Sequence, residues 1–199
     1  MVTKFEDLDP AGTYSFADYL TWQFQERVEL IKGKLFKMAM PSERHQRVSG
    51  NLFSQFANYL HEKVPRVYYA YFHVRFFESN FDNKVSNKNI YTVIQPDLTV
   101  VCDVKKIDSK GCAGAPDLII EILSPSTGSK DVKDKKAVYE FAEVPEYWIV
   151  HPNDQTVIVY ILNQQKKYVI DNVYTSKDTI KVSVFDDLEI DLTDVFEDY

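Results

Sequence analysis

Apolar positions recur first at helical spacing and later at strand spacing. After Ser15, the residues Phe16, Tyr19, Leu20 and Phe24 predict a short helix over 16–25, capped by that serine. The stretch 28-VELIKGKLFKMAM-40 predicts two short strands around a Lys32-Gly33 turn. Ser42 caps a longer helix, 43–62, in which Val48, Leu52, Phe56 and Tyr59/Leu60 form an apolar stripe with His45 on the same side. Strand patterns follow at 66–78, 91–103 and 117–123. A second helix, 130–143, is expected to pack through Val132, Ala137, Val138 and Phe141. Strands at 147–152, 156–162, 167–174 and 180–185 complete the pattern. This order predicts an α/β (α+β) fold built on one central sheet.

Composition narrows the class. At 199 residues the chain suits a single domain over 1–199 with a sizeable core. Hydrophobic content of 45% and charged content of 27% are those of a water-soluble protein, and 13 Tyr with 13 Phe suit a β-rich one. No apolar run approaches the ~20 residues of a membrane span, so no membrane association is expected. The N-terminal MVTKFEDLDP lacks the basic and apolar regions of a secretory signal. Cys102 and Cys112 are too few and wrongly spaced for a zinc site, and read as free thiols in a reducing cytoplasm.

Net charge is −7, which by itself argues against a nucleic-acid partner. The acidic segment 186–199, however, carries seven acids and no base. Those seven charges equal the whole net charge, so the rest of the chain is neutral. Basic clusters at Lys32, Lys34 and Lys37, at Arg44 and Arg47, and at Lys130, Lys133, Lys135 and Lys136 could meet phosphates or simply face solvent.

Within 115-APDLIIEILSPS-126, strand alternation puts Asp117, Ile119 and Glu121 on one face and the apolar Leu118, Ile120 and Ile122 on the other. If the strand following Asp97 pairs alongside, Asp97 and Glu121 could converge on one divalent cation, which prefers oxygen ligands. The same acids could instead end strands or pair with lysines. On the next helix, Asp131, Lys135 and Tyr139 recur at i, i+4, i+8 and line one face.

Taken together, Pro96-Asp97, 115-APDLIIEILSPST-127, Asp131-x3-Lys135-x3-Tyr139 and 144-VPEYWIVHP-152 resemble the Uma-two family of the PD-(D/E)xK nuclease superfamily. The resemblance is dense over 95–152 and looser at 28-VELIKGKL-35 and His45. It implies a restriction-endonuclease-like core, a mixed sheet flanked by helices, and Mg²⁺-dependent hydrolysis of DNA, with Mn²⁺ as a substitute ion. By that resemblance Asp97 is the acid of the PD motif and Glu121 the acid of (D/E)xK. The motif's lysine should stand two residues after Glu121, where this chain has Leu123; Lys135, one element later, takes its place. Asp97, Glu121 and the Ile122 carbonyl would hold the metal. Lys135 would stabilise developing charge, and Asp131 would orient it or bind a second ion. His45 would approach from the long helix, or stay a hydrogen-bonded core residue. Tyr139, Trp148 and His151 are expected to be structural, and Asp117 to start its strand. Cutting two strands suits a homodimer. The alternative is a catalytically inactive nuclease-fold module that binds nucleic acid or a protein; a third is an oligomerisation domain.

Overall fold

The computed structural model describes residues 2–77, 85–124 and 129–197, and at 129–131 the backbone alone. In chain order the strands are β1 (Val28–Ile31), β2 (Lys34–Lys37), β3 (Arg66–Tyr69), β4 (Val74–Phe76), β5 (Thr92–Ile94), β6 (Leu98–Val101) and β7 (Ile107–Asp108). They continue with β8 (Gly111–Ala113), β9 (Leu118–Ile122), β10 (Glu146–His151), β11 (Thr156–Leu162), β12 (Tyr168–Thr175), β13 (Thr179–Lys181) and β14 (Glu189–Asp191). The helices are α1 (Phe16–Tyr19), α2 (Glu43–Leu60), α3 (Ser129–Phe141) and α4 (Leu192–Val195).

The expected mixed sheet with helices is present, but as two sheets rather than one. The first runs β2-β1-β5-β4-β8-β7 and the second β12-β11-β10-β9-β6-β3, with β13 and β14 as a separate hairpin. The chain changes sheet five times, and two of the changes fall inside a run expected to be one strand. The single strand expected over 91–103 divides into β5 in the first sheet and β6 in the second. Between them lies Gln95-Pro96-Asp97, where Pro96 has no N–H to continue a ladder. The strand expected over 66–78 divides likewise into β3 and β4. Asp97 therefore sits at a seam between the sheets.

β9 pairs in parallel with β10 and antiparallel with β6, and α3 makes the crossover that parallel strands require. A strand covered on both faces must be largely apolar, and all five residues of β9 are buried. Leu118, Ile120 and Ile122 join Val48, Leu52, Phe56 and Leu60 of α2 in one core. Ile119, on the other face, packs with Ile31, Val74 and Ile94 of the first sheet and Val138 and Tyr139 of α3. Glu121 shares this second face.

Three local expectations are corrected. The first helix stops at Tyr19, because the Thr21 hydroxyl donates to the Asp18 carbonyl at 2.7 Å and ends the turn. On α3, Ala137 and Phe141 are exposed, and the packing face runs through Val132, Lys135, Val138, Tyr139 and Ala142. Val132 and Val138 pack as expected, and Lys135 lies on the buried side with them. The strand expected over 180–185 ends at Lys181, and β14 lies inside the acidic segment, where Leu188, Ile190 and Leu192 are buried between the acids. The Lys32-Gly33 turn is as expected for a hairpin, with both residues at positive φ (50° and 76°).

Candidate active site

Glu121 projects from β9 into a cavity of about 830 Å³ at the seam between the sheets. Lys135 comes from the buried row of α3, and its Nζ donates to Glu121 Oε1 at 3.0 Å and Oε2 at 3.2 Å. The same ammonium lies 3.0 Å from Glu29 Oε1. Tyr139, one turn further along α3, donates its hydroxyl to Glu121 Oε1. Asp97 enters from the start of β6: its Oδ2 accepts from the Ile122 amide at 2.8 Å and lies 3.2 Å from His45 Nε2. Among the described residues no partner engages Asp97 Oδ1. Ser42, accepting from the His45 amide at 3.2 Å, caps α2 and fixes where the imidazole stands.

The electrostatics follow from crowding three carboxylates into a poorly solvated space. Burial raises the proton affinity of Glu121; Lys135 opposes this, and Asp97 and Glu29 add to it, so its pKa ends above the carboxylate range. Burial would discharge Lys135, but Glu121, Glu29 and Asp97 outweigh it and hold the ammonium charged. Burial would also lower His45, but the hydrogen bond and charge of Asp97, with Glu121 and the Ile122 backbone, raise it. One firmly charged ammonium thus faces three acids, with His45 as a second, titratable cation.

The structure brings Asp97, Glu121, Lys135 and His45 to this one cavity, with Ile122 at its edge. The side chain of Asp131 lies outside the described residues. Leu123, at the position of the motif's lysine, also lines the cavity. Lys136 stands over the Tyr160 ring at 3.9 Å and Lys133 is exposed, so neither competes with Lys135. Asp117 accepts the Cys102 amide at 2.7 Å, just beyond the end of β6. Trp148 is fully buried and donates to Glu146 at 2.7 Å, and His151 is half-buried, 3.9 Å from Asp154.

Two residues were missed. Glu29, buried in β1, pairs with Lys135 and accepts the Gln95 amide at 2.8 Å. The available signal was a carboxylate inside the apolar VELI. Tyr147 lines the cavity with a buried hydroxyl that has no hydrogen-bond partner among the described residues. In sequence it is one aromatic among many.

Metal fit is decided by the donor set. Among the described residues no group of three or more His, Cys, Asp or Glu side chains is placed to enclose a metal. The available set is two carboxylates, Asp97 with one oxygen unengaged and Glu121. That number suits Mg²⁺, which is usually held by one or two carboxylates with water and phosphate completing the shell.

A family model described as "Uma2: Putative restriction endonuclease" matches residues 16–193, a span containing every residue of the cavity named above. An uncharacterized protein from Synechocystis is 26% identical over 176 residues, covering 87% of this chain and 86% of that one. The crystal structure of a "putative nuclease belonging to DUF820" from Anabaena variabilis matches with a TM-score of 0.68 and 21% identity, over 92% of this chain and 97% of that one. The fold is therefore shared with that protein.

Proposed function

The chain belongs to the Uma2 family, and from that membership we propose that it is a metal-dependent endonuclease hydrolysing phosphodiester bonds in DNA. The observation that carries this reading is the Lys135 ammonium, held 3.0 Å from carboxylates of both sheets in a cavity that Asp97 and His45 also line. An ion pair with no task would be an expensive way to fill a core, since an apolar cluster of similar volume is often as stable or more so.

Asp97 and Glu121 are the residues that would hold Mg²⁺ or Mn²⁺, with the Ile122 backbone beside them. A divalent ion supplies Lewis acidity toward a phosphoryl oxygen and acidifies bound water. Lys135 places a fixed positive charge where the phosphoryl group becomes more negative, in a site with little water to screen it. Glu29 keeps that ammonium charged and aimed. His45, hydrogen-bonded to Asp97 and raised in pKa, is positioned to hold or deliver a proton at the leaving oxygen.

The test is cleavage of duplex, nicked and branched DNA by purified protein with Mg²⁺ or Mn²⁺. Asp97→Ala and Glu121→Ala are expected to abolish it, and Lys135→Met to slow it by about 10²–10³-fold. Melting temperature supplies a second readout: either ion should raise it in wild type and not in Asp97→Ala. No cleavage of any substrate and no stabilisation by either ion would sink the nuclease reading and favour the inactive binding module.

A further inference from the structure

Besides its charged residues, the cavity is lined by apolar and aromatic side chains that phosphate chemistry does not use. They include Phe53, Tyr69, Tyr71, Met38 and Met40. Tyr69 and Tyr71 are 61% and 70% exposed, so much of each ring is open to solvent although both line the cavity that holds the acid cluster. They are also held in place. Phe53 meets Tyr69 edge-to-face at 4.9 Å, and the Arg27 guanidinium stacks 4.0 Å over Tyr71. Arg27 lines the same cavity, and its buried Nε has no hydrogen-bond partner among the described residues.

An open, fixed ring face beside a guanidinium is what a nucleobase stacks on. Bases inside a duplex are already stacked and offer only their edges in the grooves, so such a wall can be used only by an unpaired or extruded base. The charges point the same way. Duplex binding rests on many phosphate contacts, yet the basic side chains among the described lining residues are Arg27, Lys37, Lys135 and the titratable His45; Lys135 is committed to Glu29 and Glu121, and His45 to Asp97. Two lysines of β2 are engaged within the chain: Lys34 donates to the Ala11 and Gly12 carbonyls at 2.6 and 2.7 Å, and Lys37 pairs with Glu26 at 3.7 Å. A cavity of about 830 Å³ is of small-ligand size, suited to nucleotides rather than a double helix.

We propose that this cavity takes unpaired DNA, one base stacked on the Tyr69–Tyr71 wall beside Arg27 and the adjoining phosphate turned toward Asp97, Glu121 and Lys135. The proposal rests on the nuclease reading for the role of the charged wall. It deepens that reading by naming single-stranded or locally unpaired DNA as the substrate.

The test is fluorescence anisotropy of wild type with a labelled short oligothymidylate and with a perfect duplex of equal length, both in EDTA. Cleavage of the same two DNAs in Mg²⁺ and in Mn²⁺ is measured alongside. Oligothymidylate should bind at least about tenfold more tightly than duplex, and Tyr71→Ala should weaken that binding by about 5- to 100-fold. Tyr71→Phe, which keeps the ring face, should bind as wild type does. Tyr71 is exposed, so its truncation leaves the fold intact. Equal or tighter binding of the duplex, or unchanged oligothymidylate binding in Tyr71→Ala, would overturn the proposal. Selective binding with no cleavage in either metal would support it while defeating the nuclease reading. Cleavage of both DNAs at equal rates, unaffected by Tyr71→Ala, would defeat it while sparing the nuclease reading.

Discussion

Glu121 occupies a position that chain packing alone would give to valine or isoleucine, between apolar neighbours and beneath a helix. It persists there because Lys135 and Tyr139 meet it from α3, since leaving one member of a buried pair alone costs roughly 3–5 kcal/mol. His45 offers a measurable consequence. Its folded pKa is raised above the ordinary 6.5, so the stability it adds is fully present below about that pH and is lost as pH rises through the higher folded value. His45→Gln is therefore expected to cost roughly 1.5–3 kcal/mol in mildly acidic buffer, the range for a charged hydrogen bond, and progressively less above neutrality. Urea denaturation across that pH range measures it, and a deficit independent of pH would remove the charge from the explanation. Asp97, Glu121 and Lys135 could be read from sequence because they fall in an ordered series of short motifs. Glu29 could not. A single acid in a four-residue apolar strand becomes meaningful only when its lysine partner, more than a hundred residues away, is seen to reach it.

At the scale of elements, α2, β9 and the Lys32-Gly33 hairpin are legible because each has one clear period and a clear start or turn. Two of the sheet changes, β3 to β4 and β5 to β6, were hidden. Each lies inside one continuous β-rich run, and local pattern does not say which neighbour a strand will choose. The outer part of the first sheet, where β4 pairs with β8, depends on a residue with no side chain. Gly111 has φ +109°, and a Cβ there would lie 2.1 Å from the His73 carbonyl oxygen. That carbonyl also accepts the Cys112 amide at 2.8 Å. Gly111→Ala is expected to destabilise by about 1–3 kcal/mol, visible as a lower denaturation midpoint. An unchanged midpoint would mean this edge relaxes freely.

For the molecule as a whole, charge gave a misleading impression of the C-terminal segment. Its acids look like a solvated tail, but Leu188, Ile190, Leu192, Val195 and Phe196 are buried. Along α2, Asn51 donates to the Asp194 carbonyl at 3.0 Å, and Gln55 exchanges two 2.9 Å hydrogen bonds with the Asp191 backbone. Glu146, fully buried in β10, accepts the Ser183 and Val184 amides at 2.9 and 3.2 Å and so fastens the approach to this segment. Deleting 186–199 would neutralise the chain, yet five large apolar groups worth about 1.5–3 kcal/mol each would be lost from a total stability of about 5–15 kcal/mol. The truncated protein is expected to lose its cooperative thermal transition by circular dichroism. Retention of that transition would show that the remaining core is self-sufficient.

The Lys135 ammonium touches a carboxylate from each sheet, and this makes the site a record of assembly. Glu29, Asp97 and Glu121 are far apart in sequence and meet only when both sheets have formed and closed on α3. Contacts of such long sequence separation tend to be late and costly in a folding reaction. A chain still emerging, partly unfolded or clipped between the sheets would have its acids scattered and its lysine in water. The acid cluster thus exists only in the fully docked molecule, and it marks whether the two sheets have come together.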